Sequence, residues 1–146
     1  PGFIENCKKF LKDEGFFYAS FGPIWFGPGG DHINWGENRI FDHLILSEEE
    51  YQENFEKRFP NLKEDSTQSE FMVKNKLFSY LTVQRYFEIL SQAGFEKLLV
   101  FAKISTQAMS FLKRNPEIKK LLNKKNISNF DRFCSGLYLW FRLTNK

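Results

Sequence analysis

Three short apolar runs, separated from one another by helical sequence, constrain the fold of this chain most. They are "FFYAS" at 16–20, "KLLVFAKI" at 97–104 and "GLYLWFRL" at 136–143. The first and last are apolar at nearly every position, which is typical of strands that are buried on both faces of a sheet. Amphipathic segments lie before and between the runs. The sequence therefore predicts an α/β domain in which helices flank one sheet.

The segments around the runs carry the signals of helix starts and ends. The predicted helices cover 3–13, about 48–59, 70–80, 83–93, 106–114 and a segment that begins at Pro116. Ser47 with Glu50 three residues later is a capping box, and Thr82 and Ser105 are the expected N-caps of two later helices. Gly15 is expected to end the first helix in the left-handed conformation, and Gly94 is expected to close the helix 83–93. Residues 61–69 are interpreted as a polar connector.

Length, charge and cysteine content exclude several classes of protein. The 146 residues suit one domain, and the net charge of +3 is too small to indicate a nucleic-acid partner. Basic residues cluster between Lys113 and Lys125, a pattern that favours a solvated helix face. No apolar run is long enough to span a membrane. Cys7 and Cys134 are interpreted as buried, reduced thiols, which favours the cytoplasm.

The loop that follows the first run combines chain breakers with large aromatic residues. It reads "FGPIWFGPGGDHINW" over 21–35, so it cannot be one regular helix or strand. Its aromatic residues are Phe21, Trp25, Phe26 and Trp35, and they flank the polar pair of Asp31 and His32. Exposed aromatic side chains are costly in solution. The rings therefore either pack back onto the body of the protein or form the wall of a pocket.

Three longer segments resemble the C-terminal half of class I S-adenosylmethionine-dependent methyltransferases. "FIENCKKFLKDEGFFYASFGPIW" resembles the helix before strand five and strand five itself. "SYLTVQRYFEILSQAGFEKLLVF" is similar to the penultimate helix, its Ala-Gly-Phe turn and strand six, and "SGLYLWFRL" resembles strand seven. The resemblance implies the C-terminal part of a Rossmann-like sheet, in which the last strand lies antiparallel between the other two.

The resemblance covers only the acceptor side of that family's fold. The glycine-rich loop after strand one and the acidic residue at the end of strand two have no counterpart here. We therefore expect residues 1–146 to form a single domain that is part of a methyltransferase. The half that binds S-adenosylmethionine is expected before Pro1, where the sequence looks cut, or on a separate chain. The 146 residues alone are expected to bind the cofactor weakly or not at all.

The same resemblance places the loop 21–35 beside a small-molecule acceptor. It implies that His32 acts as a general base, with Asp31 as a second polar group. Phe21, Trp25, Phe26, Trp35 and His43 are the implied substrate-binding residues. An imidazole titrates near neutral pH, which suits this task.

Other roles remain open for these polar residues. His32 can instead bond the backbone of its own loop, and Asp42 with His43 can dock residues 38–46 onto the core. A metal site built from Asp31, His32, Asp42 and His43 is not favoured, because no further ligands stand at suitable spacing.

The alternative function is that of a non-enzymatic α/β interaction module, whose aromatic loop 21–35 grips a protein or a small ligand. The sequence that precedes Pro1 would discriminate between the two, because a strand followed by a glycine-rich turn there would indicate the enzyme.

Overall fold

The computed structural model describes residues 2–60 and 68–144. The elements in chain order are α1 (Gly2–Lys9), β1 (Phe16–Phe21), α2 (Asp42–Ile45), α3 (Glu48–Arg58), α4 (Gln68–Lys74), α5 (Val83–Gln92), β2 (Phe95–Ile104), α6 (Thr106–Arg114), α7 (Pro116–Lys124), α8 (Asn129–Phe133) and β3 (Cys134–Leu143). Of the predicted connector 61–69, residues 61–67 lie outside the described residues, and the last two begin α4.

The three apolar runs form one sheet in the order β1-β3-β2. β3 is antiparallel to both neighbours, with Tyr18 of β1 and Leu99 of β2 on either side of Trp140. β1 and β2 therefore run in the same direction and are both edge strands. The predicted α/β class and the central antiparallel position of 136–143 are confirmed.

Helices cover one face of this sheet and form the main core with it. Leu137, Leu139 and Phe141 point from β3 into this layer, where Leu90 of α5 is buried and Ile4 of α1 is half-buried against them. α5 is amphipathic, so burying its apolar side on the sheet removes that side from water. A second cluster joins α2, α6 and α7 beyond the sheet.

The other face of the sheet is uncovered, and here the expectation of strands buried on both faces is wrong. This uncovered face carries six large apolar side chains: Phe16, Tyr18, Leu99, Phe101, Tyr138 and Trp140. They remain 44–63% exposed, so no described helix covers them. Apolar residues on both faces of a strand show what the strand can bury, but do not show whether a second layer is present.

Most predicted helix ends are confirmed. Ser47 and Glu50 form both hydrogen bonds of the capping box at the start of α3. Thr82 and Ser105 cap α5 and α6 through their side chains. Gly94 closes α5 as predicted, and it does so with a positive φ of 87°.

Two helices end earlier than the sequence predicts. α1 stops at Lys9 instead of residue 13, and Glu14 has the left-handed φ of 62° that was expected at Gly15. Glycine is required at 15 for space, because a Cβ there would lie 2.7 Å from the carbonyl oxygen of Lys12. α4 stops at Lys74 instead of residue 80.

Cys7 and Cys134 are free thiols, as the sequence predicts, but only Cys134 is buried, whereas Cys7 is half-buried. Among the described residues, no helix has both the length and the apolar character needed to cross a bilayer.

We expect the 146-residue chain to self-associate through the uncovered face and the open edge of β1. The six side chains expose roughly 600 Å² if a whole aromatic side chain is taken as about 200 Å², and a standard interface needs about 800 Å² per partner. β1 also presents unpaired backbone groups and carries neither a charge nor a proline. Light scattering after size exclusion, over a dilution series, should give a mass above that of one chain.

Phe101→Lys should shift this equilibrium toward the monomer, because it places a charge on the uncovered face, where Phe101 of β2 lies beside Tyr138. The matched control is Phe10→Lys, which changes a ring that is 89% exposed but lies outside the sheet. A chain that stays monomeric at high concentration would contradict the prediction.

Candidate functional site

The loop between β1 and α2 packs back onto the protein, which explains its glycines. At Gly27 a Cβ would lie 2.2 Å from the carbonyl oxygen of Cys134, the first residue of β3. The backbone N–H of Gly27 also donates to the carbonyl of Ile24 at 2.8 Å. A larger residue would push the loop off the sheet. The loop is therefore built from close contacts between backbones, with its rings turned inward.

Asp31 lies at the centre of this loop with its side chain fully buried. Its Oδ2 accepts hydrogen bonds from Trp35 Nε1 and from the Tyr51 hydroxyl, each at 2.6 Å, and its Oδ1 accepts from the backbone N–H of Ile33 at 3.2 Å. A buried carboxylate needs such donors to offset the loss of water. Because Tyr51 belongs to α3, this carboxylate joins the loop to that helix.

Tyr51 stays protonated in this setting. Burial and the neighbouring Asp31 carboxylate raise the pKa of Tyr51 well above its ordinary value. The hydroxyl therefore keeps donating to Asp31 at physiological pH. Asp31 can influence a bound molecule through Tyr51, although its own oxygens are enclosed.

Trp35 is buried on the far side of Asp31 and serves packing. It shares a cluster with Ile33 and Phe55. The guanidinium carbons of Arg39 and Arg58 lie 4.9 and 5.6 Å from its ring centroid, so cations cover the ring where it approaches solvent.

His43 on α2 holds Trp25 in place. Its Nε2 donates to the carbonyl oxygen of Trp25 at 2.8 Å, and the two ring centroids lie 5.1 Å apart in an edge-to-face arrangement. Burial lowers the pKa of His43, although Asp31 and Asp42 act in the opposite direction. The imidazole is therefore neutral, with its proton on Nε2. Its Nδ1 has no hydrogen-bond partner within the described part of the chain.

The end of α4 brings two more rings to Trp25. Lys76 adopts φ 53°, its N–H bonds the carbonyl of Val73, and the N–H of Leu77 bonds the carbonyl of Met72. These two bonds define a Schellman turn, which reverses the chain sharply.

After this turn, two rings pack against the indole of Trp25. The ring centroid of Phe78 lies 5.0 Å from that of Trp25, and the ring centroid of Tyr80 lies 4.6 Å from it.

These elements enclose a pocket of about 390 Å³, which we call the aromatic pocket. Its walls include Trp25, His43, Leu46, Tyr51, Val73, Phe78 and Tyr80. Ser47, Gln52 and the ion pair between Glu48 and Lys76 stand among the lining residues as its polar part. The volume lies within the range of small-molecule sites, which are mostly apolar with a few polar groups.

His32 lies next to the pocket wall. It has φ 62°, its Nε2 bonds the carbonyl oxygen of Pro23 at 3.0 Å, and its ring centroid is 5.4 Å from that of Phe78. A carbonyl only accepts, so Nε2 carries the proton and the basic lone pair is on Nδ1. His32 thus bonds the backbone of its own loop, which was the structural alternative. A role as general base stays a prediction and would have to use Nδ1.

The structure brings together some of the sequence-predicted site residues and separates others. Trp25 and His43 line the aromatic pocket, and Asp31 lies behind it. Phe21 packs on Tyr86 with centroids 4.9 Å apart, and Phe26 packs into the cluster of α2, α6 and α7. These two rings, Trp35 and His32 are not among the residues that line the pocket.

Sequence reasoning missed Tyr51, Phe78 and Tyr80. Tyr51 follows the capping box on α3 directly, and "LFSY" at 77–80 carries two aromatic residues next to the Thr82 cap. Aromatic residues so close to a helix start can indicate a pocket wall. Because the segment 70–80 is predicted as a helix, Phe78 and Tyr80 are not separated in the sequence from the apolar face of that helix.

Metal chemistry finds no support in the described residues 2–60 and 68–144. They contain no group of three or more His, Cys, Asp or Glu side chains that could hold a metal ion.

Comparisons of the chain with protein-family models, with curated proteins and with solved structures found no match. The function is therefore argued from the pocket itself.

Replacing Asp31 by Asn should destabilise the fold by about 2–4 kcal/mol, because hydrogen bonds to charged groups contribute about 1.5–3 kcal/mol each. The Asn amide has the shape of the carboxylate, but its NH₂ group is a donor. It must face either the Tyr51 and Trp35 donors or the N–H of Ile33, so a hydrogen bond is lost in both orientations. Urea unfolding measures the change. The matched control Asp13→Asn, at an exposed position, should stay within about 0.5 kcal/mol of the parent. An equally small loss in Asp31→Asn would show that the carboxylate is dispensable.

The stability of the chain should fall as the pH drops below about 6.5. The folded state resists protonation of His43 because its pKa is lowered from 6.5, whereas the unfolded chain takes up the proton at its ordinary pKa. The His43 contribution is thus complete above that pH and declines below it, by at most about 1.4 kcal/mol per pH unit. Urea midpoints between pH 8 and 5 test this. His43→Gln should flatten the profile, and an unchanged profile in that variant would exclude His43 as the source.

Proposed function

We propose that this chain is the acceptor-binding part of an S-adenosylmethionine-dependent methyltransferase. The observation that carries the proposal is the aromatic pocket, whose wall includes Trp25 on the loop leaving the carboxyl end of β1. In open α/β sheets, ligands bind beyond the carboxyl ends of the strands. The strand order β1-β3-β2 adds support, because it is the order expected of strands five, seven and six.

The described residues do not fit the cofactor. β1 leads into a long loop instead of a helix, and β2 ends at Lys103 and Ile104 before the Ser105 cap. Neither strand therefore ends in a carboxylate that could hold ribose hydroxyls, and neither is followed by a glycine-rich turn into a helix. The cofactor half would be supplied by sequence before Pro1 or by a partner chain.

In this proposal the chain's own residues bind and orient the acceptor. Trp25, Phe78 and Tyr80 provide the apolar surface and keep water away from it. Tyr51, held by Asp31, fixes the position of α3 against the loop. His32 takes a proton from the acceptor through Nδ1. The proposal also places the enzyme in the cytoplasm, where Cys7 and Cys134 stay reduced.

A second function, a binding module without catalysis, is favoured by one observation. The polar groups closest to the pocket are committed to intramolecular bonds, as Asp31 is to Tyr51 and His43 is to Trp25. Such a pocket can hold a ligand without performing acid–base chemistry.

A methyl-transfer assay tests the proposal. It uses a protein in which residues 1–146 are combined with a half that binds S-adenosylmethionine. Transfer of a labelled methyl group to a small-molecule extract should be detectable, and His32→Ala should lower it by about 100-fold or more. Trp25→Ala should slow methyl transfer at low acceptor concentration, and the rate should recover at high acceptor concentration. The reason is that Trp25 contributes equally to binding of the acceptor in the ground state and in the transition state.

Trp140→Ala is the matched control, because that ring lies on the uncovered face, and it should leave the rates unchanged. Wild-type turnover of His32→Ala between pH 6 and 9 would show that His32 has only a structural role, whereas the absence of any methyl transfer would favour the binding module. Calorimetry on the 146 residues alone should show S-adenosylmethionine binding weaker than about 1 μM, and tighter binding would mean that the chain holds the cofactor itself.

A further inference from the structure

The aromatic pocket presents rings in several orientations within a small space. The centroids of Trp25, Phe78 and Tyr80 lie 4.6–6.4 Å apart, at interplanar angles from 39° to 74°. Aromatic rings attract one another in offset-stacked or edge-to-face arrangements, beyond the area that they bury. A flat ring entering this pocket can make both kinds of contact at once, whereas an aliphatic ring of the same size gains only burial.

The lining residues carry no uncompensated charge. Glu48 and Lys76 form an ion pair with each other, and Asp31 is enclosed behind Tyr51. His43 is neutral because its burial disfavours the imidazolium. A charged ligand group would lose water among the rings and would find only an already paired charge in return. Ser47 and Gln52 are neutral polar groups of the lining that can also bond a ligand hydroxyl or amide, although the Ser47 hydroxyl accepts the N–H of Glu50 and the Gln52 amide donates to Glu56.

We propose that the aromatic pocket binds an uncharged aromatic molecule with a small polar substituent. The proposal rests on the proposed function only in making this molecule the methyl acceptor, because the binding itself needs neither cofactor nor turnover. It narrows the acceptor from any metabolite, sugar, lipid or protein to a neutral aromatic compound.

Four probes test it on the 146-residue chain: two neutral ones of the same size, and two charged ones with a longer substituent. They are p-cresol, its cation analogue tyramine, its anion analogue 4-hydroxyphenylacetate, and its non-aromatic analogue 4-methylcyclohexanol. Ligand-observed NMR titration should give p-cresol a dissociation constant of about 1 mM, with each of the other three about ten-fold weaker. The hydroxyl is common to all four, so p-cresol against 4-methylcyclohexanol reports ring character, and tyramine against 4-hydroxyphenylacetate reports the preferred sign of charge.

Site variants locate the binding. Trp25→Ala should weaken p-cresol binding by about five-fold or more, and Trp140→Ala should leave it unchanged. Since Trp25 also packs inside the protein, Tyr80→Ala is the second variant, changing a ring that is 42% exposed. Circular dichroism shows which variants stay folded. If Trp25→Ala and Tyr80→Ala both bind p-cresol as tightly as the parent chain, p-cresol does not bind in the aromatic pocket.

The ranking of the probes can overturn the chemistry. Tightest binding of tyramine would indicate a site for cations, and tightest binding of 4-hydroxyphenylacetate a site for anions. Equal binding of 4-methylcyclohexanol would reduce the pocket to a general apolar cavity, and failure of all four probes would show that there is no such site. If p-cresol binds, but the protein that combines this chain with a cofactor half transfers no methyl group, the binding proposal is retained and the proposed function fails.

Discussion

The hydrogen bonds to the buried Asp31 carboxylate are the interaction on which the candidate site depends. The loop 21–35 contains no helix or strand beyond the last residue of β1, so tertiary contacts must set its shape. Trp35 and Tyr51 donate to the same oxygen, one from the loop and one from α3. This arrangement fixes the distance between the two walls of the aromatic pocket. An apolar residue at 31 could fill the space, but it would leave three donors without a partner, namely the Trp35 indole, the Tyr51 hydroxyl and the N–H of Ile33.

The strand β3 decides where this loop can lie. It is hydrogen-bonded on both sides, and its first residue, Cys134, meets the backbone of the loop at Gly27. The pocket therefore rests on the first residue of the central strand, which is paired there with Ile104 of β2. Aromatic residues are used in two ways around this strand. Around Trp25 they pack on one another and enclose space, whereas on the uncovered face Tyr18 and Trp140 stand side by side and leave a broad apolar surface.

Local signals predicted most of the fold, and contacts between distant segments explain most of what they missed. Caps at Ser47, Thr82 and Ser105 involve neighbours three residues away, so the sequence contains all the information needed. The end of α4 was missed because Lys76 adopts a left-handed conformation that usually signals itself through glycine. Tyr51 was missed because its partner, Asp31, is twenty residues away in the chain. No local pattern reports such a pair.

Both histidines were predicted as site residues, yet each forms a hydrogen bond to a backbone carbonyl. His32 bonds the carbonyl of Pro23 and His43 that of Trp25, so two imidazoles hold the same short segment at positions two residues apart. In each histidine, Nε2 therefore donates to a carbonyl, and Nδ1 carries the basic lone pair. In His43 that atom is buried, so a proton there would sit where burial disfavours it. His32 is only partly buried and touches the wall ring Phe78. Any proton transfer in this loop therefore falls to His32, while His43 keeps Trp25 in its orientation.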